Sequence, residues 1–95
     1  MEYALKLQEI TKKGKHMIQL YVRAGCPFCK KVETAAATMG LIAGFDFELI
    51  DATSGTPGRD VVLRVGGKGM VPFLIDGDIS MYESDDIIKY LKTKV

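Results

Sequence analysis

The sequence predicts a single α/β domain built on a four-stranded mixed sheet flanked by helices. Three observations predict it. A strand, a helix and a second strand follow one another over residues 17–51, and such a unit pairs its strands in parallel through a right-handed crossover. Asp76-Gly77 is a strong hairpin turn, which adds antiparallel strands. Ser84 and the acidic residues after it are typical of the first turn of a last helix.

Length and charge exclude several classes of protein. A chain of 95 residues makes one domain, large enough to form a hydrophobic core without cross-links such as disulfide bonds. A net charge of +1 argues against a general nucleic-acid binder. No apolar run approaches the roughly 20 residues that span a membrane, and residues 1–16 lack the continuous apolar segment of a secretory signal. We therefore expect a cytoplasmic monomer that binds neither nucleic acid nor membrane.

The chain is expected to begin with an extra helix and the first strand. Ala4, Leu7 and Ile10 have helical spacing within residues 1–16, and a partly disordered extension is the alternative. Residues 17–23 are rich in β-formers and apolar at alternate positions, which predicts a strand.

A helix with a cysteine at its N-cap is predicted directly after this strand. Pro27 falls at the first helical position, where a proline loses no needed hydrogen bond. The helix then continues to residue 39, so that Cys26 caps it and Cys29 lies one turn on, on the same side. Unpaired N–H groups and the positive end of the helix dipole favour a thiolate over a thiol. The position is therefore suited to redox chemistry.

A purely structural role for the two cysteines is disfavoured. A disulfide between residues three apart closes a very small loop and constrains the unfolded chain little. His16 is the single histidine, so the thiols and imidazoles of this chain cannot supply the four ligands of a structural zinc site. We therefore expect no metal site.

The remaining segments complete the sheet. Alternating apolar and acidic residues predict a second strand over 45–51, and a turn-rich stretch leads from it into a short helix over 59–65. A glycine-rich loop precedes a third strand over 71–75, and the hairpin leads into a fourth over 78–81. Ser84 is the predicted N-cap of the last helix.

Three motifs, in this order, resemble those of the glutaredoxins in the thioredoxin-like superfamily. Cys26–Cys29 (CPFC) resembles the family's CPYC, and Met70–Pro72 (MVP) stands where the family has Thr-Val-Pro. Tyr82–Asp86 (YESDD) opens the last helix where the family usually has Gly-Gly-Cys-Ser-Asp, although Glu83-Ser84 resembles the thioredoxin-like half of glutathione transferases. The resemblance covers residues 17–95 and implies a thioredoxin-like (glutaredoxin) fold with the extra N-terminal helix.

The resemblance implies that Cys26 is the nucleophile and Cys29 the resolving thiol, with glutathione as co-substrate. It also implies that the Val71–Pro72 peptide bond is cis and that the Val71 backbone meets the cysteinyl part of glutathione, as an added strand would. The residues expected to bind glutathione are Arg23, Phe28, Arg59, Met70, Val71, Pro72, Ser84, Asp85 and Asp86.

The resemblance also assigns the two ends of glutathione. Arg23 and Arg59 would meet the glycine carboxylate. The start of the last helix, at Ser84 and Asp85, would bind the γ-glutamyl carboxylate through N–H groups and a hydroxyl. Asp86, or Asp85 in a shifted register, would take the ammonium group. Tyr82 is left open between covering the γ-glutamyl site and simple packing, and Lys68 between the glycine carboxylate and a solvated loop.

The implied activity is that of a glutathione-dependent thiol–disulfide oxidoreductase. Its partners would be glutathione, disulfide-bonded or glutathionylated proteins and, indirectly, glutathione reductase, with no permanently bound cofactor. The alternatives are a redoxin reduced by a flavoprotein reductase and an iron–sulfur cluster carrier, which Pro27 disfavours by stiffening the position after the first cysteine. A glutathione-binding domain detached from transferase chemistry is a further alternative.

Overall fold

The structure, a computed structural model, describes residues 17–95. The helix predicted for residues 1–16 lies outside this range. The elements are β1 (Ile18–Val22), α1 (Pro27–Thr38), β2 (Phe47–Asp51), α2 (Pro57–Gly66), β3 (Phe73–Asp76), β4 (Ile79–Met81) and α3 (Ser84–Lys92).

The four strands form one mixed sheet in the order β2-β1-β3-β4. β1 and β2 are parallel, with Ile18 opposite Phe47, because α1 crosses over between them. β1 pairs with β3, and β3 with β4, in antiparallel fashion. The predicted four-stranded mixed sheet flanked by helices is therefore confirmed.

Alternation along β1 divides the core into two layers. Ile18, Leu20 and Val22 point to one face, where they pack with buried residues of α1 and α3 such as Val32. Tyr21 points to the other face and packs with buried Phe73 and, from α2, Val62. Side chains on one strand point alternately to opposite faces, so β1 supplies both layers from five residues.

The hairpin turn lies one residue later than predicted. Asp76 is paired with Ile79, so the two turn residues are Gly77 and Asp78, and the predicted Asp76-Gly77 turn is wrong by one position. Gly77 has a φ of 64°, whereas no described residue other than glycine has a positive φ. A turn with a positive φ at its first central residue alone has the type II′ pattern, which takes glycine there.

Other element boundaries also differ from those predicted, and three of the differences have a clear cause. β3 begins at Phe73 rather than residue 71, since Pro72 has no N–H to give to a strand ladder. β2 begins at Phe47 because residues 44–46 form a turn, in which the Asp46 carboxylate accepts the Ile42 N–H. α2 begins at Pro57, two residues early, because the Thr56 side chain caps it by accepting the Arg59 N–H.

Gly58 allows α2 to pack directly on the end of β2. A Cβ atom at this position would lie 2.1 Å from the backbone oxygen of Asp51, which a side-chain movement cannot relieve. The close approach of α2 to the sheet therefore requires glycine.

We expect Gly58→Ala to destabilise the fold by about 1–3 kcal/mol, because the strain of overpacking exceeds the gain in helix propensity. Urea unfolding followed by circular dichroism measures this loss. Arg64→Ala, on an exposed position of the same helix, is the control and should cost at most about 0.5 kcal/mol. Equal unfolding midpoints for the two variants would contradict the packing argument.

Candidate active site around Cys26

Cys26 is the N-cap of α1, as predicted. Its backbone is extended, with φ −94° and ψ 113°, and Pro27 occupies the first turn of the helix. The Cys29 N–H donates to Cys26 Sγ at 3.3 Å, so that the sulfur satisfies one of the unpaired donors of the helix N-terminus. Both cysteines are free thiols, and Cys26 is 7% exposed whereas Cys29 is 1% exposed.

The surroundings shift the pKa values of the two thiols in opposite directions. Burial acts to raise the pKa of Cys26, but hydrogen bonds from the Cys29 side chain, the Cys29 N–H and the Phe28 N–H, together with the charge of Arg23, outweigh it and leave the pKa lowered. Burial, the hydrogen bond with Cys26 and the Cys26 charge raise the pKa of Cys29 to about 12. The surroundings therefore favour the thiolate form of Cys26 and the protonated form of Cys29.

A groove of about 170 Å³ lies beside this pair, between α1, the loop before β3 and the start of α3. The Val71–Pro72 bond in its wall is cis, as the resemblance implied. Five of the residues predicted to bind glutathione share this groove with Tyr82 and Glu83; they are Phe28, Met70, Val71, Pro72 and Ser84.

Tyr82 has the packing role that the sequence left open as one alternative, and it also contributes to the groove wall. It lines the groove, and its ring packs on Phe73 with a centroid distance of 4.5 Å. Its hydroxyl donates to the Lys68 carbonyl at 2.6 Å and accepts the Lys68 N–H at 2.9 Å. A Cβ atom on Gly66 would lie 2.3 Å from this hydroxyl, so the ring needs the glycine beneath it. Tyr82 thereby anchors the loop that leads to Met70.

Arg59 also holds this loop in place through hydrogen bonds. Its Nε–H donates to the Ala52 carbonyl at 2.9 Å and an Nη1–H donates to the Gly69 carbonyl at 3.0 Å. Arg59 is not among the residues that line the groove. The structure therefore gives its guanidinium two backbone partners and does not bring it together with the five groove residues.

The start of α3 differs from the prediction in one residue. Glu83, with φ −65° and ψ 130°, is the N-cap and accepts the Ile87 N–H at its carbonyl, whereas Ser84 is already helical. The prediction of Ser84 as N-cap is therefore wrong by one position, because Glu83 still has the extended backbone. The Glu83 side chain makes no capping hydrogen bond and lines the groove.

Asp85 and Asp86 lie outside the groove lining. Asp85 accepts a hydrogen bond from Lys31 Nζ at 2.7 Å, which joins α3 to α1 and lowers the pKa of the carboxyl group. Asp86 is exposed on the first turn of α3. Lys31 was missed by the sequence reasoning, since a contact between residues 54 positions apart leaves no local pattern.

Arg23 lies on a different side of Cys26. It lines a recess of about 500 Å³ together with Ala24, Gly25, Cys26, Pro27, Lys30 and Glu33, none of which lines the groove. An Nη1–H of Arg23 donates to the Ala24 carbonyl at 3.2 Å. The nine residues predicted as one glutathione site are thus divided: five line the groove, Arg23 lines the recess, and three (Arg59, Asp85 and Asp86) line neither.

Residues 17–95 contain no group of three or more His, Cys, Asp or Glu side chains placed to hold a metal ion. No helix in this part of the chain has the length and apolar character to cross a membrane.

We expect Cys29→Ala and Arg23→Gln each to raise the pKa of Cys26, because each removes a group that stabilises the thiolate. The rise should be larger for Cys29→Ala, since the hydrogen bond from the Cys29 side chain contributes more than the Arg23 charge. Thiolate absorbance near 240 nm as a function of pH measures it. Lys89→Gln, on exposed α3, is the control, and a Cys26 pKa that is the same in all of these proteins would refute the assignment.

We expect Tyr82→Phe to speed amide exchange at Lys68 by about fivefold to tenfold, since it removes about 1 kcal/mol of hydrogen bonding and keeps the ring packing. Hydrogen–deuterium exchange of the loop measures this effect. Tyr90→Phe removes a hydroxyl that contacts Asp76 and should leave Lys68 unchanged. Equal Lys68 exchange in the wild type and Tyr82→Phe would show that the hydroxyl does not hold the loop.

Comparison with solved structures gives matches to glutathione transferases. Glutathione S-transferase-I bound with lactoylglutathione is 28% identical with a TM-score of 0.65, over 82% of this chain and 36% of that one. Apo human glutathione S-transferase is 28% identical with a TM-score of 0.66, over 81% and 31%. A glutathione S-transferase from the Antarctic clam Laternula elliptica is 26% identical with a TM-score of 0.67, over 82% and 35%. The chain spans about a third of the length of these proteins.

No curated protein sequence matches the chain. Residues 20–95 match the family described as Glutathione S-transferase, N-terminal domain, which covers the whole sheet apart from the first two residues of β1. The chain therefore belongs to the glutathione S-transferase N-terminal domain family, within the thioredoxin-like superfamily.

Proposed function

We propose that the chain is a glutathione-dependent thiol–disulfide oxidoreductase of the glutaredoxin kind, in which Cys26 attacks and Cys29 resolves. The observation that carries the proposal is the asymmetry of the two thiols at the N-terminus of α1. Cys26, the N-cap, has a lowered pKa and is 7% exposed, whereas Cys29, one turn into α1, is 1% exposed with a pKa of about 12. A thiolate nucleophile beside a protonated second thiol is the arrangement that disulfide exchange requires.

In the proposed reaction, the Cys26 thiolate attacks the glutathione sulfur of a mixed disulfide. The bond between the two substrate sulfurs breaks, the substrate thiolate leaves with the electron pair, and a Cys26–glutathione disulfide forms. The thiolate of a second glutathione attacks the glutathione sulfur of this intermediate. Oxidised glutathione leaves and the Cys26 thiolate is restored, so that each turnover consumes one free glutathione and converts the mixed disulfide into a free substrate thiol and oxidised glutathione.

Cys29 becomes a better nucleophile at the step that needs it. Two of the causes of its raised pKa are the hydrogen bond with Cys26 and the negative charge on Cys26. Both disappear once Cys26 is bonded to another sulfur, so the pKa of Cys29 falls in the mixed disulfide. Cys29 can then attack Cys26 and release the bound thiol, and two molecules of glutathione reduce the resulting Cys26–Cys29 disulfide.

The groove supports glutathione as the co-substrate. The backbone of Val71 can pair with the cysteinyl part, and the N–H groups at the start of α3, with the Ser84 hydroxyl, suit the γ-glutamyl carboxylate. Glu83 adds a carboxylate to the groove wall, where it can accept the ammonium group, whereas Asp85 is engaged by Lys31. The similar protein that binds lactoylglutathione supports the same ligand class.

Conjugation of glutathione to an electrophile is the second candidate, because the family match favours it. It needs a stabilised glutathione thiolate as the nucleophile. Here the Cys29 N–H already donates to Cys26 Sγ, so the donors at the end of α1 stabilise the protein's own sulfur. Disulfide exchange is therefore the better-supported reaction.

The proposal extends to partners and location. Glutathionylated or disulfide-bonded proteins are the substrates, and glutathione reductase restores the glutathione pool. A cytoplasmic monomer with no permanently bound cofactor fits this chemistry, since glutathione keeps cytosolic thiols reduced.

The test is reduction of a small mixed disulfide of glutathione and 2-mercaptoethanol, coupled to glutathione reductase and NADPH. We expect Cys26→Ser to lower the rate by about 10³-fold or more, as loss of an essential nucleophile does. Cys29→Ser should keep a rate of the same order as the wild type, because the glutathione route needs only Cys26.

Two results would overturn the proposal. Activity that survives Cys26→Ser would exclude Cys26 as the nucleophile. Inactivity with glutathione, combined with a Cys26–Cys29 disulfide that thioredoxin reductase reduces, would make the protein a redoxin with another electron donor. Conjugation of 1-chloro-2,4-dinitrobenzene is measured in parallel, and it should be slower than disulfide reduction.

A further inference from the structure

Two concave surfaces of different chemistry lie at the N-terminal end of α1, one lined by Phe28 and the other by Cys26. The groove on one side is lined by apolar and backbone groups together with the acidic side chain of Glu83. The recess on the other side includes Cys26 itself in its wall, and it shares no residue with the groove. A disulfide that reacts at Cys26 has two halves, so each half has its own surface.

The recess is cationic next to the thiol. Arg23 and Lys30 are both exposed and both line it. The ion pairs formed within residues 17–95 are Lys31–Asp85 and Lys94–Asp76, so no carboxylate in this part of the chain neutralises either cation. The half-buried Glu33 is the one acidic residue in the lining. Two cations and one carboxylate leave a net positive surface beside Cys26.

The recess also continues away from Cys26. A second depression, of about 320 Å³, shares Arg23, Ala24 and Glu33 with it and extends to Leu49 and Asp51 on edge strand β2. Leu49 is 41% exposed, which is high for a leucine on a strand. The combined surface runs from cationic at Cys26 to apolar and acidic at β2. With parts of about 500 and 320 Å³, this surface is larger than a small thiol needs and has room for a peptide segment.

We propose that this recess binds the peptide half of the disulfide substrate and that it selects a segment with an acidic residue next to the reacting cysteine. The inference rests on the proposed function and names the substrate class of the same site. The glutathione half occupies the groove, Cys26 attacks the glutathione sulfur, and the peptide thiolate leaves on the recess side. Arg23 and Lys30 then face the acidic residue of the peptide.

The test compares two glutathionylated peptides that differ at one position, with Glu or Lys beside the cysteine. We expect kcat/KM to be about fivefold higher for the Glu peptide, a preference of the size that one exposed charge pair provides. The preference should weaken in high salt, because exposed charges are screened.

Reversing one charge in the recess tests whether the recess causes the preference. Lys30→Glu should abolish or reverse the preference between the peptides, measured as the ratio of their two kcat/KM values, so that any general effect of the variant on Cys26 cancels. Lys92→Glu makes the same change of charge in the exposed last turn of α3 and should leave the preference intact. Equal rates on both peptides, or equal effects of the two variants, would overturn the inference.

Failure of the proposed function gives a different result, since the disulfide of glutathione and 2-mercaptoethanol would then not be reduced either. Binding is therefore also measured by fluorescence anisotropy with labelled peptides that carry Ser in place of Cys. Tighter binding of the Glu peptide, lost in Lys30→Glu and kept in Lys92→Glu, would support acidic-peptide binding in the recess even if Cys26 catalysed a different reaction. Equal anisotropy for both peptides would reject it.

Discussion

The hydrogen bond from the Cys29 N–H to Cys26 Sγ is the contact on which the site depends. It exists because β1 ends just before α1 begins and because Pro27 starts the helix at the residue after Cys26. The helix end thereby holds a sulfur where a serine or aspartate usually caps, and its unpaired N–H groups stabilise charge on that sulfur. The buried position of Cys29 follows from the same helix, since one turn inward brings it into the core with Val32.

The second requirement is a loop that stays in place beside the thiol. The segment between α2 and β3 has no strand or helix of its own, and contacts from distant elements hold it. Tyr82 takes both backbone groups of Lys68, and Arg59 takes the carbonyl of Gly69. Arg59 lies on α2, which precedes the loop, and Tyr82 follows β4, so residues from both sides of the loop in the sequence hold it. The Val71–Pro72 backbone is thereby presented to the groove.

The features that could be predicted from the sequence are those that depend on residues close together in the chain. Residue patterns predicted the sheet and the cap at Cys26, and the resemblance to glutaredoxins implied the cis Val71–Pro72 bond. Five of the residues that the resemblance assigned to glutathione lie together in the groove. The shifts at the hairpin and at Glu83 are single-residue errors, which side-chain preferences at element ends do not resolve. The partners of Arg59 and Lys31 could not be predicted, because they depend on how α2, α1 and α3 pack in three dimensions.

Gly66 and Tyr82 constrain each other in a way that bears on how this sequence can change. The tyrosine hydroxyl occupies the space that any side chain at position 66 would need, with 2.3 Å between the hydroxyl and a Cβ atom there. A larger residue at 66 is therefore accommodated only if position 82 has first become small and the Phe73 ring, 2.9 Å from the same Cβ position, also shifts. The reverse order passes through a chain in which the two side chains overlap. The order of substitution, and not the tolerance of either site alone, limits the sequences that this groove can reach in single steps.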